Sequence, residues 1–166
     1  MTIQVEFFSL SELLSPIDRP DADNFGLETL LNQSVYSPSL ESVRKFLVEV
    51  MHLKPDAVEK KFFYGLCPAN EHELVGFAQY RMTDEVADLD FLIISQYLHG
   101  RGFAKMLLEQ SLSAIQLAGA KRVMLEVGET NFAAKHLYLR FGFKLISVRK
   151  RYYKDGENAL IMELVF

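Results

Sequence analysis

The stretch from Leu92 to Gln110 reads LIISQYLHGRGFAKMLLEQ and joins two different hydrophobic patterns. It opens with LII, as in a buried strand, and after Gly102 apolar residues recur every three or four positions, as in a helix. A polar turn with two glycines lies between the two patterns. The stretch therefore predicts a strand that leads directly into a helix, with one side of the helix packed on a sheet and its N-terminus beside the strand end.

The turn between this strand and this helix has the properties of an anion site. The first N–H groups of a helix have no internal partner, and the helix dipole adds about half a positive charge there. Gly100 and Gly102 let the backbone approach a ligand closely, and Arg101 and Lys105 add positive charge. These features favour a phosphate or diphosphate group. The glycines are equally compatible with a tight turn that binds nothing.

Two well-known phosphate motifs do not fit this turn. A P-loop requires Gly-Lys-Ser/Thr, whereas Phe103 follows Gly102. A dinucleotide fingerprint requires a glycine where Lys105 stands, although Glu126 lies at about the right distance for the ribose-binding acid. The first half of the chain also lacks the alternation of strands and helices that a dinucleotide fold needs.

The rest of the chain reads as a mixture of strands and helices. TIQVEFF alternates as an edge strand does, SLSELLSPIDRPDADNFG is typical of a loop, TDEVAD and PANEH indicate turns, and Pro55 ends a helix or opens a turn. The predicted helices are 27–35, 39–53, 105–118 and 131–141, and the further strands are 62–67, 73–82, 89–94, 121–127, 144–149 and 159–166. This order predicts an α+β, or mixed α/β, sheet.

Composition narrows the class of protein. A chain of 166 residues with 49% hydrophobic and 24% charged residues is expected to form one soluble domain, 1–166. The net charge of −4 argues against a nucleic-acid binder, no run approaches the ~18 apolar residues of a membrane span, and MTIQVEFFSL does not resemble a secretory signal. The lone Cys67, expected to be buried, fits a reducing cytoplasm. Since the four histidines show no ligand spacing, we expect no metal site.

Residues 99–104, HGRGFA, resemble the acyl-CoA pyrophosphate loop of the GNAT N-acetyltransferase superfamily, which is usually Arg/Gln-x-x-Gly-x-Gly/Ala. Gly102 and Ala104 fill the last two places, and His99 stands where Arg or Gln is usual. Members of the superfamily hold the pyrophosphate mainly through backbone amides. The resemblance leaves open whether His99 contributes charge near neutral pH.

Residues 131–143, NFAAKHLYLRFGF, are similar to the superfamily signature N-x-x-A-x-x-L-Y-x-x-x-G-F in every place. Helical spacing puts Ala134 and Tyr138 on one face, and Gly142 permits a left-handed exit from the helix. Asn131 is expected to cap this helix and also to be a ligand. The two motifs, separated by one buried strand, imply a GNAT-like, mostly antiparallel mixed sheet flanked by helices, with a strand–helix–strand–helix core that binds CoA.

The C-terminal segment VRKRYYKDGENALIMEL resembles ribosomal-protein-alanine N-acetyltransferases and relatives that acetylate protein N-termini, and LEVGETN is similar to their LEVR-x-x-N strand. In that branch the residues matching Glu126 and Tyr138 form the acid–base pair, and a tyrosine pair matching Tyr152 and Tyr153 helps form a peptide slot. On the residues alone, the tyrosines suit a hairpin tip that covers apolar surface. Likewise, Glu126 suits an ion pair with Lys121 or Arg122.

The chemistry of acyl transfer to an amine assigns further roles. An α-amine titrates near ~8 and needs only one carboxylate as base, for which Glu126 is the first candidate. Asp88 is the second candidate, and Asp90 shares its side of the strand; the alternative for one or both acids is simple solvation. The resemblance implies an oxyanion contact from a backbone N–H at the end of LDFLII, with Ile94 the first choice, and a proton from Tyr138 for the CoA sulfur.

We therefore expect direct acetyl transfer from acetyl-CoA to a primary amine, without metal or nucleophilic cysteine, by a cytoplasmic monomer or homodimer. The acceptor is expected to be a protein N-terminal α-amine. The alternatives are a small-molecule amine such as a polyamine, an aminoglycoside or an amino acid, which the acids at 84, 85, 88 and 90 would suit, and a non-catalytic acyl-CoA sensor. The expected CoA-binding residues are Leu92, Ile93, Ile94, His99, Gly100, Arg101, Gly102, Phe103, Ala104, Lys105, Asn131, Ala134 and Tyr138.

Overall fold

The computed structural model describes residues 5–9, 27–33, 37–52, 54, 57–68 and 73–166. The predicted loop after Ser9, most of the PANEH linker, Pro55 and the predicted end of the first helix at Val35 lie outside the described residues. The strands are β1 Val5–Ser9, β2 Glu59–Pro68, β3 Gly76–Thr83, β4 Val86–Ile94, β5 Arg122–Gly128, β6 Lys144–Arg149 and β7 Ala159–Val165. The helices are α1 Leu27–Leu31, α2 Leu40–Met51, α3 Phe103–Leu117 and α4 Phe132–Arg140.

The strands form one seven-stranded sheet in the order β1-β2-β3-β4-β5-β7-β6. Five of the six neighbouring pairs are antiparallel, and β4 and β5 are parallel. The parallel pair follows from the crossover helix α3, since two strands joined through a packed helix run in the same direction. The prediction of a mixed, mostly antiparallel sheet with helices is thus confirmed.

Each face of the sheet is covered by a different pair of helices. Strand residues alternate between the two faces, so that Leu66 packs with one hydrophobic cluster and Cys67 with the other. The larger cluster includes the apolar side of α3 and residues of α4, and the smaller cluster is formed with α1 and α2. The buried Tyr80 hydroxyl lies 2.8 Å from Ser111 Oγ, which ties β3 to α3. No helix in the described parts of the chain is both long and apolar enough to cross a membrane.

The sheet opens between β4 and β5. Their pairing covers only Val86 to Leu89 opposite Arg122 to Leu125, although β4 continues to Ile94 and β5 to Gly128. Asp90 is an extra residue in the β3–β4 ladder, since Tyr80 pairs with Leu89 and Gln79 with Phe91. Such a bulge bends the strand that contains it. The two parallel strands therefore part, and the opening passes between the two faces of the sheet.

The backbone at the end of β4 points into this opening. The Ser95 N–H donates to the Val75 carbonyl at 2.8 Å, on the β3 side. Because successive residues of a strand direct their N–H groups to opposite edges, the N–H of Ile94 is directed away from β3. The sequence predicted neither the bulge nor the parting. It also placed Val86–Asp88 in a turn, whereas the turn contains only Asp84 and Glu85.

Candidate active site

A cleft of about 850 Å³ occupies the region where β4 and β5 part. It is lined by backbone and side chains from the two strands, by α4 and by the β6–β7 hairpin. Among its lining residues are the predicted site residues Asp88, Leu92, Ile93, Glu126, Asn131, Ala134, Tyr138, Tyr152 and Tyr153. The fold therefore brings together residues that are far apart in the sequence.

The loop between β4 and α3 presents an open helix N-terminus. Gly100 and Gly102 have φ of +72° and +86°, and a Cβ added to either one meets nothing within 4 Å. Gly102 is the N-cap of α3, and among the described residues no side chain caps the first N–H groups of this helix. Arg101 and Lys105 are exposed, whereas Phe103 and Ala104 are half-buried against the core. The glycines thus form the turn and also leave the space in front of the helix free for a group that accepts hydrogen bonds.

His99 contacts the backbone of β4. Its Nε2 lies 2.9 Å from the carbonyl oxygen of Ile94. Since a carbonyl only accepts hydrogen bonds, Nε2 carries the proton and donates to it. The ring therefore ties the glycine loop to the strand end, at the residue whose N–H is directed into the opening.

The helix α4 is built as its signature predicted. Asn131 caps it through a 3.2 Å hydrogen bond from the Ala134 N–H to its side-chain oxygen. At the other end, Gly142 has φ of +89°, and the Phe143 N–H returns to the Tyr138 carbonyl at 3.1 Å. The predicted cap, apolar face and glycine exit are all confirmed. This capping hydrogen bond uses the side-chain oxygen of Asn131.

Tyr138 lines the cleft while only 7% of its surface is exposed. Its ring packs against Phe143 at a centroid distance of 5.6 Å. Burial raises the pKa of the Tyr138 hydroxyl above its ordinary value, and the nearby Tyr153 adds to the shift. The hydroxyl is therefore protonated at neutral pH and is able to donate a hydrogen bond.

Two carboxylates lie on the cleft walls, on the sheet face covered by α1 and α2. Asp88 of β4 is in register with Met124 of β5, two residues from Glu126, and the two acids are close enough to repel each other. Burial, followed by repulsion from Asp90, raises the pKa of Asp88, and Arg81 partly opposes the shift. Asp88 forms no ion pair within the described residues. A carboxylate with a raised pKa is a stronger base than an ordinary one.

Glu126 is the centre of a cluster with two residues of the β6–β7 hairpin. Arg149 Nη1 forms an ion pair with Glu126 Oε1, and the nearby Glu126 carboxylate raises the pKa of the Tyr152 hydroxyl above its ordinary value. The Arg149 guanidinium also lies over the Tyr152 ring, 5.5 Å from its centroid.

The predicted partners of Glu126 were wrong. Lys121 pairs with Glu85 at 2.6 Å, and Arg122 pairs with Glu163 at 3.2 Å. The reason is distance along the strand: Arg122 is the first residue of β5 and Lys121 precedes it, whereas Glu126 lies four residues further on, opposite the hairpin.

Asp90 has a structural partner and is not simply solvated. Arg81 holds its carboxylate with two hydrogen bonds, of 2.7 Å from Nε and 2.5 Å from Nη2. Gln79 Nε2 approaches the same carboxylate at 3.4 Å. Since Glu85 also has a basic partner, two of the four acids at 84, 85, 88 and 90 are neutralised. The cluster of acids is thus a weaker argument for a polycationic acceptor than the sequence indicated.

The tyrosine pair of the hairpin borders the cleft. Tyr152 and Tyr153 stack edge to face with ring centroids 5.3 Å apart, and Tyr152 is half-exposed. The basic residues Arg81 and Arg149, which also line the cleft, were not predicted. A signal for Arg149 was present, since it lies in VRKRYY next to the tyrosines, but only the strand pairing shows which of three neighbouring cations reaches Glu126.

Residues 33–143 match the family model described as the Acetyltransferase (GNAT) family. The chain is 35% identical over 106 residues to a [Ribosomal protein bS18]-alanine N-acetyltransferase of Haemophilus ducreyi, covering 61% of this chain and 73% of that one. It is 30% identical to a probable spermine N(1)-acetyltransferase of Bacillus subtilis subsp. natto, covering 66% and 76%. The fold is similar to a chain of the NatC complex bound to Gag peptide and CoA, with a TM-score of 0.77, 21% identity and 99% of each chain covered.

The family match spans more than half of the chain, and the open glycine loop, the parted strands and the residues of the cleft agree with it. The chain belongs to the acetyltransferase (GNAT) family and is an acyl-CoA-dependent N-acetyltransferase.

Proposed function

We propose that this enzyme acetylates a protein N-terminal α-amine, using acetyl-CoA. The observation that supports this acceptor is the open cleft between β4 and β5, which is bordered by the tyrosine pair and by two carboxylates. The Haemophilus ducreyi relative is named for the alanine of a ribosomal protein, and the NatC structure contains a peptide. We also propose a cytoplasmic location, in keeping with the lone buried cysteine.

The glycine loop fits the diphosphate of CoA. The N–H groups of Gly100 and of residues 102–105 would hold it, because the space at the two glycines is open and no side chain in the described part of the chain caps the helix. The N–H groups of His99 and Arg101 donate instead to the carbonyls of Gln96 and Leu98. Arg101 adds charge from the exposed side of the loop. The backbone of Leu92, Ile93 and Ile94, with Asn131 and Ala134 opposite, would border the pantetheine arm. Bound acetyl-CoA supplies a thioester carbonyl from which the amine displaces the CoA thiol.

Different residues at the opening assist different parts of this displacement. The Ile94 N–H, directed into the opening, stabilises the charge that develops on the carbonyl oxygen. Glu126 accepts the proton of the attacking amine, with Asp88 as the second candidate. Tyr138, kept protonated by burial, gives its proton to the departing thiolate. An α-amine with a pKa near ~8 needs only this modest basic assistance.

A second candidate acceptor is a polyamine. Asp88 carries no ion pair within the described part of the chain, and together with Glu126 it places negative charge on both walls of the cleft. One relative is named as a probable spermine acetyltransferase. A terminal ammonium would contact the same two carboxylates.

A screen of acceptors tests the proposal directly. Release of free thiol from acetyl-CoA is followed with peptides that have free or blocked N-termini, with lysine side chains, and with spermine and spermidine. We expect turnover on peptides that begin with a small residue, and none when the N-terminus is blocked. Turnover on polyamines alone would contradict the peptide acceptor, and no turnover on any amine would favour the sensor.

A further inference from the structure

The proposed function assigns no role to Arg149, a cation that lines the cleft beside the proposed base. It is the last residue of β6, and its guanidinium reaches across to Glu126, the proposed base. A base that is already paired with a guanidinium has one fewer lone pair for an incoming amine. An amine that approaches Glu126 Oε1 therefore has to displace the guanidinium from this oxygen.

The surroundings of the Arg149 guanidinium form a general cation site. One side is the Glu126 carboxylate and another is the ring of Tyr152, at 5.5 Å. A carboxylate beside an aromatic face attracts an alkylammonium group as well as a guanidinium. Asp88, on the opposite strand and without an ion pair in the described residues, adds further negative charge.

The Arg149–Glu126 contact is also easily broken. The Arg149 side chain is 54% exposed and that of Glu126 is 30% exposed, and every residue of β6, an edge strand, is exposed. Exposed ion pairs contribute little to stability because water screens the charges and replaces the contact. By contrast, Arg81 holds Asp90 through two hydrogen bonds, and that carboxylate is only 12% exposed. Of these two arginines in the cleft, Arg149 is the one that is free to move away.

We propose that Arg149 is a built-in competitor of the acceptor: it occupies on Glu126 the place that the acceptor's ammonium group takes, and it leaves when that group enters. This inference rests on the proposed function, because it requires an amine acceptor at Glu126. Arg149 then sets the affinity for the acceptor. It neutralises the cleft in the free enzyme and so disfavours weak cationic ligands.

Three variants test this proposal by steady-state kinetics with the preferred amine. Arg149→Gln should lower KM for the amine by about two- to fivefold, the range expected for an exposed ion pair, without lowering kcat. Lys150→Gln removes the same charge one residue away and should leave KM unchanged. Arg149→Lys keeps the charge and should retain a KM near that of the wild type. KM for acetyl-CoA should be the same in all of them.

The opposite results overturn the proposal in distinct ways. A fall in kcat of Arg149→Gln with an unchanged or higher KM would show that Arg149 positions Glu126 for the reaction. An equal fall of KM in Lys150→Gln would show a general effect of charge. If the wild type turns over no amine at all, the proposed function itself fails, and this inference fails with it.

Discussion

Tyr138 combines near-complete burial with a position on the cleft wall, and these two properties lead to a specific prediction. Replacing Tyr138 with Phe keeps the packing on Phe143 and removes only the acidic hydroxyl. We expect kcat to fall by about a hundredfold, as for loss of a general acid. The dissociation constant for acetyl-CoA, measured by calorimetry, should change by less than about twofold, because the ring is retained.

Tyr80 provides the matched control. It is also a buried tyrosine, but its hydroxyl is bonded to Ser111 between the sheet and α3, and Tyr80 is not among the residues that line the cleft. Tyr80→Phe should cost about 1 kcal/mol of stability, as expected for one buried hydrogen bond, while kcat stays near the wild-type value. Equal losses of turnover and acetyl-CoA affinity in Tyr138→Phe would show that Tyr138 is structural.

Neutral amide variants distinguish the roles of the two carboxylates in the cleft. Glu126→Gln should lower kcat by about a hundredfold if Glu126 is the base. Asp88→Asn should mainly raise KM for the amine, since it removes an attractive charge from the cleft wall. Measurement of kcat and KM for both variants decides the assignment, and the reverse pattern would make Asp88 the base.

Asp88 also has an expected effect on stability. Its pKa is raised in the folded protein, chiefly by burial and by Asp90, so its ionised form is less stable folded than unfolded. The penalty is present above the folded pKa and is lost as pH falls below the ordinary carboxylate value near ~4. Asp88→Asn should therefore raise Tm at pH 7 and not in acid. The exposed Glu109→Gln is the charge-matched control, and an equal rise there would contradict the explanation.

The sequence predicted which residues line the site better than it predicted their contacts. Asp88, Glu126 and Tyr138 were identified and do line one cleft. The partner of Glu126 was missed, because it depends on which cation of the final hairpin comes to lie beside β5. No spacing within the sequence determines that contact.

Gly102, in the loop before α3, is tested against a second glycine at the other end of the same helix. Gly102 and Gly119 lie at the two ends of this helix, both have positive φ, and both have open space at the Cβ position. Replacing either one with Leu should cost about 1 kcal/mol of stability through backbone strain. Only Gly102→Leu should weaken binding of CoA, because only there does the side chain enter the proposed diphosphate site. Calorimetry with CoA compares the two variants, and equal affinities would contradict the site.

Regular elements were predictable because their signals are local. The ends of α4 follow from Asn131 and Gly142, and those of α3 from the apolar spacing that begins after Gly102. The parting of β4 from β5 was not predictable. It depends on the bulge at Asp90, which exists only in the register between β3 and β4. The element that creates the cleft is thus a property of strand pairing.

For the whole molecule, buried tyrosines predict loss of stability in alkali. Burial raises the pKa of Tyr64 to about 12 and shifts the pKa of Tyr80 and Tyr138 further upward. In the unfolded chain these groups titrate near ~10, so their contribution is complete below that pH and is lost as pH rises above it. Tm should be constant from about pH 7 to 9 and then fall steeply. The Tm of Tyr80→Phe should fall less steeply with pH than that of the wild type. An identical slope would contradict tyrosine ionisation as the cause.

We propose that the main-chain N–H groups of Gly100 and of residues 102–105 bind the diphosphate of CoA. Titration calorimetry of the folded wild-type protein with acetyl-CoA, and with acetyl-pantetheine, which lacks the diphosphate, tests it most directly. We predict saturable binding of one acetyl-CoA per chain and much weaker binding of acetyl-pantetheine. Equal affinity for the two compounds, or no binding of acetyl-CoA, would contradict the claim.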